Sequence, residues 1–509
     1  MVAKGGTGAV LSPSIVMSDA VDLAAAIRAR AVSCVEVMAA HLDQIERFNP
    51  AVNAIVALRP REVLLREASA ADADLARDGA RGPLHGLPWA VKDLQETAGI
   101  ATTYGSPLFA DNVPAEDSPL VTRLKAAGAI VVGKTNVPEF GLGSQTYNPV
   151  YGATGNAYDP SRTCGGSSGG AAVALALRMV PAADGSDMMG SLRNPAAFNN
   201  VVGFRPSLGR VADPTGGDVF FGQLATDGPM GRSVADVAML LSVLAGYDAR
   251  APLSNGEDPA AFAAPLGRDF AGTRLGWVGD FAGHLPTEPG LLDLCRSAFD
   301  GFRAVGCAVE EVADVGFPLD AVWESWRVLR HVFAGGGHAA DYRDPARRAL
   351  MKPELVWEVE GALATSALDL RDAAVTRSAW YQAVARLFER YDFLLAPVVQ
   401  VFPFDKAVHW PKAVGGRPMD TYHRWMESTS IWSLTGLPAL SMPAGFAPPG
   451  SPAAGLPTGI LIVGPNRADR RVLELGHAYE RSTRWTERVP PPLLRTPAPM
   501  PQAAAPGRL

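Results

Sequence analysis

The sequence predicts an α/β fold, because strand-like and helix-like segments alternate along its first half and strand patterns return near its C-terminus. Of its 509 residues, 48% are hydrophobic and 19% are charged, which is typical of a globular protein with a large buried core. Its length would allow about two to four average domains, so a single domain has to be inferred from the continuity of this pattern. The alternation also predicts that the core sheet is mostly parallel.

Two helices open the predicted fold. Apolar residues at helical spacing run from Asp19 to Phe48 and pause at residues 31–33, where Ser33 is the expected N-cap. The other predicted elements are strands over 54–58, 88–92, 130–132, 273–278, 393–397 and 459–463, and helices over 62–76, 121–127, 169–177 and 233–244. Residues from 278 to about 430 are predicted to be mostly helical.

Charge and composition exclude several classes of protein. The net charge of −6 and the absence of a basic run argue against nucleic-acid binding, because phosphate contacts need clustered lysine and arginine. No segment has the roughly 18 apolar residues of a membrane span, and residues 12–14 interrupt any signal-peptide core. We therefore expect a cytoplasmic protein without membrane contact.

The four cysteines form no CxxC pair and have no histidine at zinc-ligand spacing, so no metal or other cofactor is expected. Cys164 lies close to a glycine-serine segment and could be reactive, but a buried packing role is the better interpretation. Residues 128–135 match the P-loop pattern GxxxxGK[ST]. The four central residues of that match form a predicted strand rather than a phosphate-binding turn, which argues against nucleotide binding.

Two serine-bearing loops carry the chemical signal of the sequence. Residues 165–170 read GGSSGG and open a predicted helix, and residues 184–195 contain Ser191. Either loop alone is more often an ordinary turn. Together they indicate a reactive site, because a glycine-rich loop at a helix start directs backbone N–H groups toward one small volume that suits an oxyanion.

These loops, with Lys92, resemble the amidase signature family. Ser191 lies 24 residues after Ser167, and Lys92 ends a predicted strand 75 residues before Ser167, in the order and spacing of that family. Further similar segments are 128–136, 138–140, 203–206, 227–230 and 436–438. The resemblance implies one large domain over 15–488 with a mixed central β-sheet covered by helices on both faces.

Within that domain, the resemblance assigns core motifs to 85–230, a divergent substrate-side region to 250–430 and a C-terminal return to the core to 431–488. Residues 489–509 are rich in proline and alanine and are expected to be a surface or disordered tail.

The resemblance implies that Ser191 is the nucleophile, that Ser167 is a bridging serine after a cis peptide bond with Gly166, and that Lys92 is the base. The chemistry is consistent, because a serine hydroxyl needs an adjacent base and no histidine lies near these motifs. A lysine titrates near 10.4, and lowering its pKa to about 7 requires about 4.6 kcal/mol, which burial can supply. The alternative for Lys92 is a surface pair with Asp93.

The resemblance further implies that Asp187 and Arg193 brace the nucleophile loop as an ion pair, the alternative being two unrelated surface charges. It assigns the oxyanion hole to the backbone N–H groups of Met188, Met189, Gly190 and Ser191. Ser168 either orients the loop or is simply a small residue that fits.

The Met188-Met189 pair departs from the family, which has threonine or isoleucine and then glycine at these positions. A methionine in place of glycine restricts φ and adds a flexible apolar side chain at the site. We therefore expect an acyl or leaving-group pocket unlike that for small polar amides. Together with the methionine pair, the aromatic residues Phe402, Phe404, Trp410, Tyr422 and Trp425 suggest an apolar or aromatic ligand, although such residues more often belong to the core.

The predicted function is a hydrolase of amide-type C–N bonds, namely carboxamides, anilides or carbamates (urethanes), that forms a serine acyl-enzyme. An esterase-leaning acylamidase is a variant of this prediction, and an aryl acylamidase or a urethanase is the expected specialisation. The main alternative is the A-type subunit of a glutamine-dependent tRNA amidotransferase, which would require a partner protein. An inactive scaffold is a further alternative. Expected partners are small-molecule substrates only, in a monomer or homodimer.

Overall fold

The computed structural model of the chain describes residues 15–215 and 217–495. Its β-strands are β1 Ile55–Val56, β2 Pro88–Lys92, β3 Ile130–Thr135, β4 Ala183–Asp187, β5 Val202–Arg205, β6 Thr226–Gly231, β7 Arg274–Trp277, β8 Ala308–Glu311, β9 Phe393–Pro397, β10 Ala413–Val414, β11 Arg417–Pro418, β12 Ala439–Phe446 and β13 Pro457–Val463.

Its α-helices are α1 Ala20–Arg28, α2 Cys34–Val52, α3 Arg61–Asp78, α4 Pro119–Ala126, α5 Gly169–Ala176, α6 Arg193–Phe198, α7 Val234–Leu244, α8 Leu291–Ser297, α9 Phe299–Ala304, α10 Leu319–Arg330, α11 Ala339–Arg343, α12 Pro345–Arg348, α13 Pro353–Ala364, α14 Ala367–Leu387, α15 Glu427–Thr435, α16 Asp469–Thr483 and α17 Trp485–Arg488. A π-helical turn, His331–Gly335, follows α10, and short 3-10 helices include Glu139–Gly141 and Pro492–Arg495.

The central sheet is mixed, and the prediction of a mostly parallel sheet is wrong. Eight strands lie in the order β4-β6-β5-β12-β13-β9-β7-β8. Only β7 pairs in parallel, with β8 and with β9, whereas the other five neighbouring pairs are antiparallel. The reason is that β12 and β13 form an antiparallel hairpin inserted between β5 and β9, which alternation of helices and strands along the sequence does not reveal.

Helices cover both faces of this sheet. Ala197 of α6 packs near Gly459 and Ser441, whereas Gly476 of α16 packs against Leu440 and Met442. Because successive residues of a strand point to opposite faces, α6 and α16 lie on opposite sides of β12. This arrangement agrees with the fold class that the sequence predicts.

A second, three-stranded sheet positions Lys92. Its order is β1-β3-β2, with β2 and β3 parallel and all five residues of β2 buried. Strand β3 contains residues 130–135 of the segment 128–135 that resembles a P-loop, so most of this segment forms a buried strand rather than a phosphate loop. Among the described residues, no helix is long and apolar enough to cross a membrane.

Several predicted helices and strands are confirmed, with ends that differ from the predicted ones by a few residues. Ser33 caps α2 and forms a capping box with Glu36. The region from 278 to 430 is mostly helical and is interrupted by the predicted strand β9 and by β8, β10 and β11, which the sequence pattern does not predict. The structure describes only residues 489–495 of the predicted tail, and residues 496–509 lie outside the described residues. In the described part, Leu493 and Leu494 pack against the core.

Candidate active site

Lys92 is the last residue of β2, and its amino group lies among serine hydroxyls. The residue is 0% exposed. Its Nζ lies 2.8 Å from both Ser167 Oγ and Ser168 Oγ. It also lies 2.9 Å from Ser186 Oγ and 3.2 Å from the Ser186 carbonyl oxygen. Lys92 is therefore not a surface lysine, and Ser186 is a neighbour that the sequence pattern does not predict.

The surroundings of Lys92 suit a neutral amine. Burial lowers its pKa to about 7, although the carboxyl groups of Asp227, Asp184 and Asp187 act in the opposite direction. An amine with this pKa is substantially unprotonated at neutral pH and can accept a proton from a hydroxyl group.

Two aspartates beside Lys92, the buried Asp184 and the half-buried Asp227, are likewise not predicted from sequence. Asp184 accepts hydrogen bonds from Trp89 Nε1 at 2.8 Å and from the Lys92 backbone N–H at 3.1 Å. Asp227 accepts two hydrogen bonds from Gln95 Nε2 at 3.0 Å. Burial raises the pKa of both carboxyl groups, that of Asp227 to about 8. The only sequence signal that could have identified these two aspartates is their position within the family-like segments 184–195 and 227–230.

The loop that carries Ser167 is fixed by its neighbours. The Gly166–Ser167 peptide bond is cis. The Ser144 hydroxyl donates to the Gly166 carbonyl at 2.6 Å and accepts from the Gly166 N–H at 3.1 Å. The Ser168 N–H donates to the Ser191 carbonyl at 3.1 Å, which joins the two serine-bearing loops directly.

Ser191 lies in the turn between β4 and α6, and a buried carboxylate organises this turn. Asp187 accepts from Nε and Nη2 of Arg193 at 2.9 Å each, and Arg205 Nη1 lies 3.3 Å from it. Burial acts against the charged form, but Arg193 and Arg205 hold the pKa of Asp187 well below its usual range. Asp187 and Arg193 therefore form an ion pair and are not unrelated surface charges.

Asp187 also engages one of the four predicted oxyanion donors. The Gly190 N–H donates to Asp187 Oδ1 at 2.7 Å, so it is not free to bind an oxyanion in this structure. For the N–H groups of Met188, Met189 and Ser191, no acceptor lies within hydrogen-bonding distance in the part of the chain that the structure describes. The set of available donors is thus three rather than four.

Ser167 and Ser191 line one cavity of about 320 Å³. Ser191 is 9% exposed, and no hydrogen bond joins its Oγ to Ser167 Oγ among the residues described. The cavity wall combines polar and apolar side chains; its aromatic and methionine side chains are Tyr104, Phe140, Phe333, Met188, Met189 and Met426. A planar aromatic group fits against these side chains.

The aromatic residues proposed from sequence as ligand contacts do not line this cavity. Phe402 and Trp425 are buried in the hydrophobic core, and Phe404 and Trp410 pack against it. Tyr422 instead donates to Glu358 and accepts from Arg330. Of the two interpretations, the structure favours a packing role for these aromatic residues.

All four cysteines are buried and unpaired with one another. Burial raises the pKa of Cys164 to about 12, which keeps this thiol protonated and unreactive. Within residues 15–215 and 217–495, no three histidine, cysteine, aspartate or glutamate side chains are grouped so as to hold a metal ion.

Comparison with known proteins identifies similar sequences and folds. A sequence model of the amidase family matches residues 36–473. The A-type subunit of the glutamyl-tRNA(Gln) amidotransferase of Methylococcus capsulatus is 33% identical over 491 residues, which is 92% of this chain and 98% of the relative.

Two solved structures have the same fold. A bacterial aryl acylamidase of the amidase signature family is 27% identical with a TM-score of 0.84, covering 92% of this chain and 97% of its own. The peptide amidase of Stenotrophomonas maltophilia is 29% identical with a TM-score of 0.76, covering 93% and 98%.

Proposed function

The chain belongs to the amidase signature family of amide hydrolases, and from this premise we propose that Ser191 is its nucleophile and that Ser167 and Lys92 carry the proton away. One observation carries the proposal. A fully buried lysine with a pKa of about 7 lies 2.8 Å from Ser167 Oγ, and Ser167 and Ser191 line the same cavity. A buried neutral amine beside a hydroxyl is the activating arrangement that a serine nucleophile needs.

In the first half of the reaction, Ser191 Oγ attacks the amide carbonyl carbon. Its proton passes to Ser167, while the Ser167 proton passes to Lys92, which becomes an ammonium ion. The negative charge forms on the former carbonyl oxygen. The free N–H groups of Met188, Met189 and Ser191 are the candidate donors for this oxyanion.

Collapse of the tetrahedral adduct breaks the C–N bond. The proton held by Lys92 returns through Ser167 to the leaving nitrogen, so that a neutral amine departs and Ser191 keeps the acyl group as an ester. Water then attacks this ester with the same relay removing its proton, and the acid is released. The resting serine and the neutral lysine are restored.

We propose an aryl amide, anilide or aryl carbamate as the substrate, because Phe140, Phe333 and Tyr104 contribute aromatic surface to the cavity. The methionine pair adds an adaptable apolar surface beside the nucleophile. Small polar amides would leave this surface uncovered.

A second candidate is the glutaminase component of an amidotransferase, which the 33% identity to such a protein favours. Glutamine carries an ammonium group that requires a negative partner when it is buried. Among the described residues that line the cavity, none is an aspartate or glutamate. This feature favours a stand-alone hydrolase.

We expect p-nitroacetanilide and N-phenyl carbamates to be cleaved with kcat/KM at least about tenfold higher than acetamide or L-glutamine, because only the former bury aromatic surface. Rates would be measured by p-nitroaniline, aniline and ammonia release from the purified chain. If glutamine were the best substrate, and only with the other amidotransferase components added, the second candidate would be correct.

We expect the rate to fall as pH decreases below about 7, because protonated Lys92 cannot accept a proton. Well below that pH, kcat/KM should decrease about tenfold for each pH unit. A pH profile with an anilide substrate, whose own charge does not change in this range, measures the apparent pKa directly. A flat profile from pH 5 to 8 would argue against Lys92 as the base.

A further inference from the structure

Arg330, the last residue of α10, has one side of its guanidinium group without an oxygen acceptor. Arg330 lines the catalytic cavity although it is only 3% exposed. Its Nε donates to Glu358 Oε1 at 2.8 Å, and its Nη2 donates to the Tyr422 hydroxyl at 2.7 Å. Its Nη1 lies 3.2 Å from Met188 Sδ, and a thioether is only a weak acceptor.

The other contacts of this group fix its orientation. Glu358 also accepts from the Tyr422 hydroxyl at 2.6 Å and lies 2.8 Å from His331 Nδ1. Burial disfavours a charged Glu358, but Arg330 and the hydrogen bond from His331 lower its pKa to about 2. Arg330 is therefore held in place as a cation without any ligand, with Nη1 directed at the side chain beside the proposed nucleophile.

The fixed charge on the cavity wall is positive. Arg330 lines the wall, and no aspartate or glutamate lines it among the described residues. The other basic side chain of the wall, His338, has its Nδ1 3.3 Å from Asp341 Oδ2. The wall thus favours an oxygen acceptor and disfavours an ammonium group.

We propose that Arg330 is a specificity-determining residue whose Nη1 binds an oxygen acceptor of the substrate, a carbonyl or carboxylate remote from the scissile bond. This proposal rests on the proposed function of the cavity. An oxygen would replace the Met188 sulfur as the partner of Nη1. A charged N–H donor gains substantially more from an oxygen than from a thioether.

The test compares four p-nitroanilides of equal acyl length: hexanoyl, 5-oxohexanoyl, glutaryl and 5-aminopentanoyl. They present a methyl, a neutral carbonyl, a carboxylate and an ammonium group at the same distance. We expect the two oxygen-bearing substrates to exceed hexanoyl in kcat/KM by about tenfold or more, with the ammonium substrate lowest. The ratio of kcat/KM for the glutaryl substrate to that for the 5-oxohexanoyl substrate then distinguishes a carboxylate ligand from a carbonyl ligand.

Arg330→Lys keeps a cation beside Glu358 but removes the forked donor that reaches Met188. The preference for oxygen-bearing substrates over hexanoyl should fall about ten- to a hundredfold, mainly through a higher KM. Arg377→Lys is the matched control, because Arg377 bonds the carbonyls of Leu434 and Gln223 outside this cavity. The preference of Arg377→Lys for oxygen-bearing substrates over hexanoyl should equal that of the wild type.

No preference in the wild type, an unchanged preference in Arg330→Lys, or an equal loss for all four substrates would overturn the proposal. If Arg330→Lys does not fold, the double variant Arg330→Gln/Glu358→Gln removes both buried charges, and the preference should fall again. Failure of the proposed function gives a different result, namely activity that survives Ser191→Ala, whichever substrate is preferred.

Discussion

Replacing Ser191 by alanine is expected to reduce kcat by about 10⁴-fold or more, because the variant lacks the hydroxyl that forms the proposed covalent acyl-enzyme. Ser167 Oγ, 2.8 Å from Lys92 Nζ, remains in the cavity, but in the proposed mechanism it carries the proton and does not attack the substrate. The measurement is p-nitroaniline release by the purified variant. Its folding is checked by circular dichroism and thermal unfolding.

The matched control is Ser242→Ala, which removes a hydroxyl that donates to the Met239 carbonyl within α7, outside the cavity. Its kcat should stay within about twofold of the wild type. Mass spectrometry of wild-type protein quenched during turnover should find the acyl group on the peptide that contains Ser191. An adduct on a different residue, or an active Ser191→Ala variant, would refute the assignment.

How much of the fold the sequence reveals depends on whether the signal is local. The N-cap Ser33 and the apolar run of β2 are local signals, and both elements occur as predicted. Strand β4 reads Ala-Asp-Gly-Ser-Asp, which has no strand propensity. It is a strand because β6 pairs with it across the whole of its length, and that pairing partner lies about 40 residues away in sequence.

The same distinction applies to the site. Lys92, Ser167 and Ser191 could be predicted, because their spacing is part of a recognisable pattern. Ser186 and Asp227 reach Lys92 as a cross-strand pair of β4 and β6, so that only the register of the sheet brings them to the site. A single sequence does not specify that register.

Arg330 could not be predicted from the sequence for a further reason. It lies in the divergent region, 142 residues from Met188, and contacts it only because α10 ends beside the nucleophile loop. The unusual Met188-Met189 pair indicates an unusual substrate pocket. It does not indicate that a buried cation lies beside the pair, since a lone arginine in a helical segment has no motif.

Replacing Lys92 by methionine is expected to reduce kcat by about 10³-fold or more, because the proposed relay then has no base. The control is Lys134→Met, since Lys134 is also a buried lysine, lies on β3 in register with Val91, and donates to the Gln95 carbonyl and to Thr97. Both variants lack a buried amino group, but kcat should decrease only in Lys92→Met. An equal decrease of kcat in both variants would indicate that Lys92 has a structural role.

Lys92→Met should nevertheless fold at least as stably as the wild type at neutral pH. A lysine whose pKa falls from 10.5 to about 7 on folding destabilises the native state by about 5 kcal/mol at or below pH 7. Methionine avoids this penalty, although the lost contacts to Ser167, Ser168 and Ser186 offset part of the gain.

The sign of the pH dependence follows from the same pKa. Between pH 7 and 10.5 the unfolded chain binds more protons at Lys92 than the native protein, so the stability of the wild type rises with pH in this window. The stability advantage of Lys92→Met should therefore be largest at or below pH 7 and shrink toward pH 10. Urea unfolding of both proteins at pH 7 and 9 measures this difference. An advantage independent of pH would mean that Lys92 is fully protonated in the folded protein and does not act as the base.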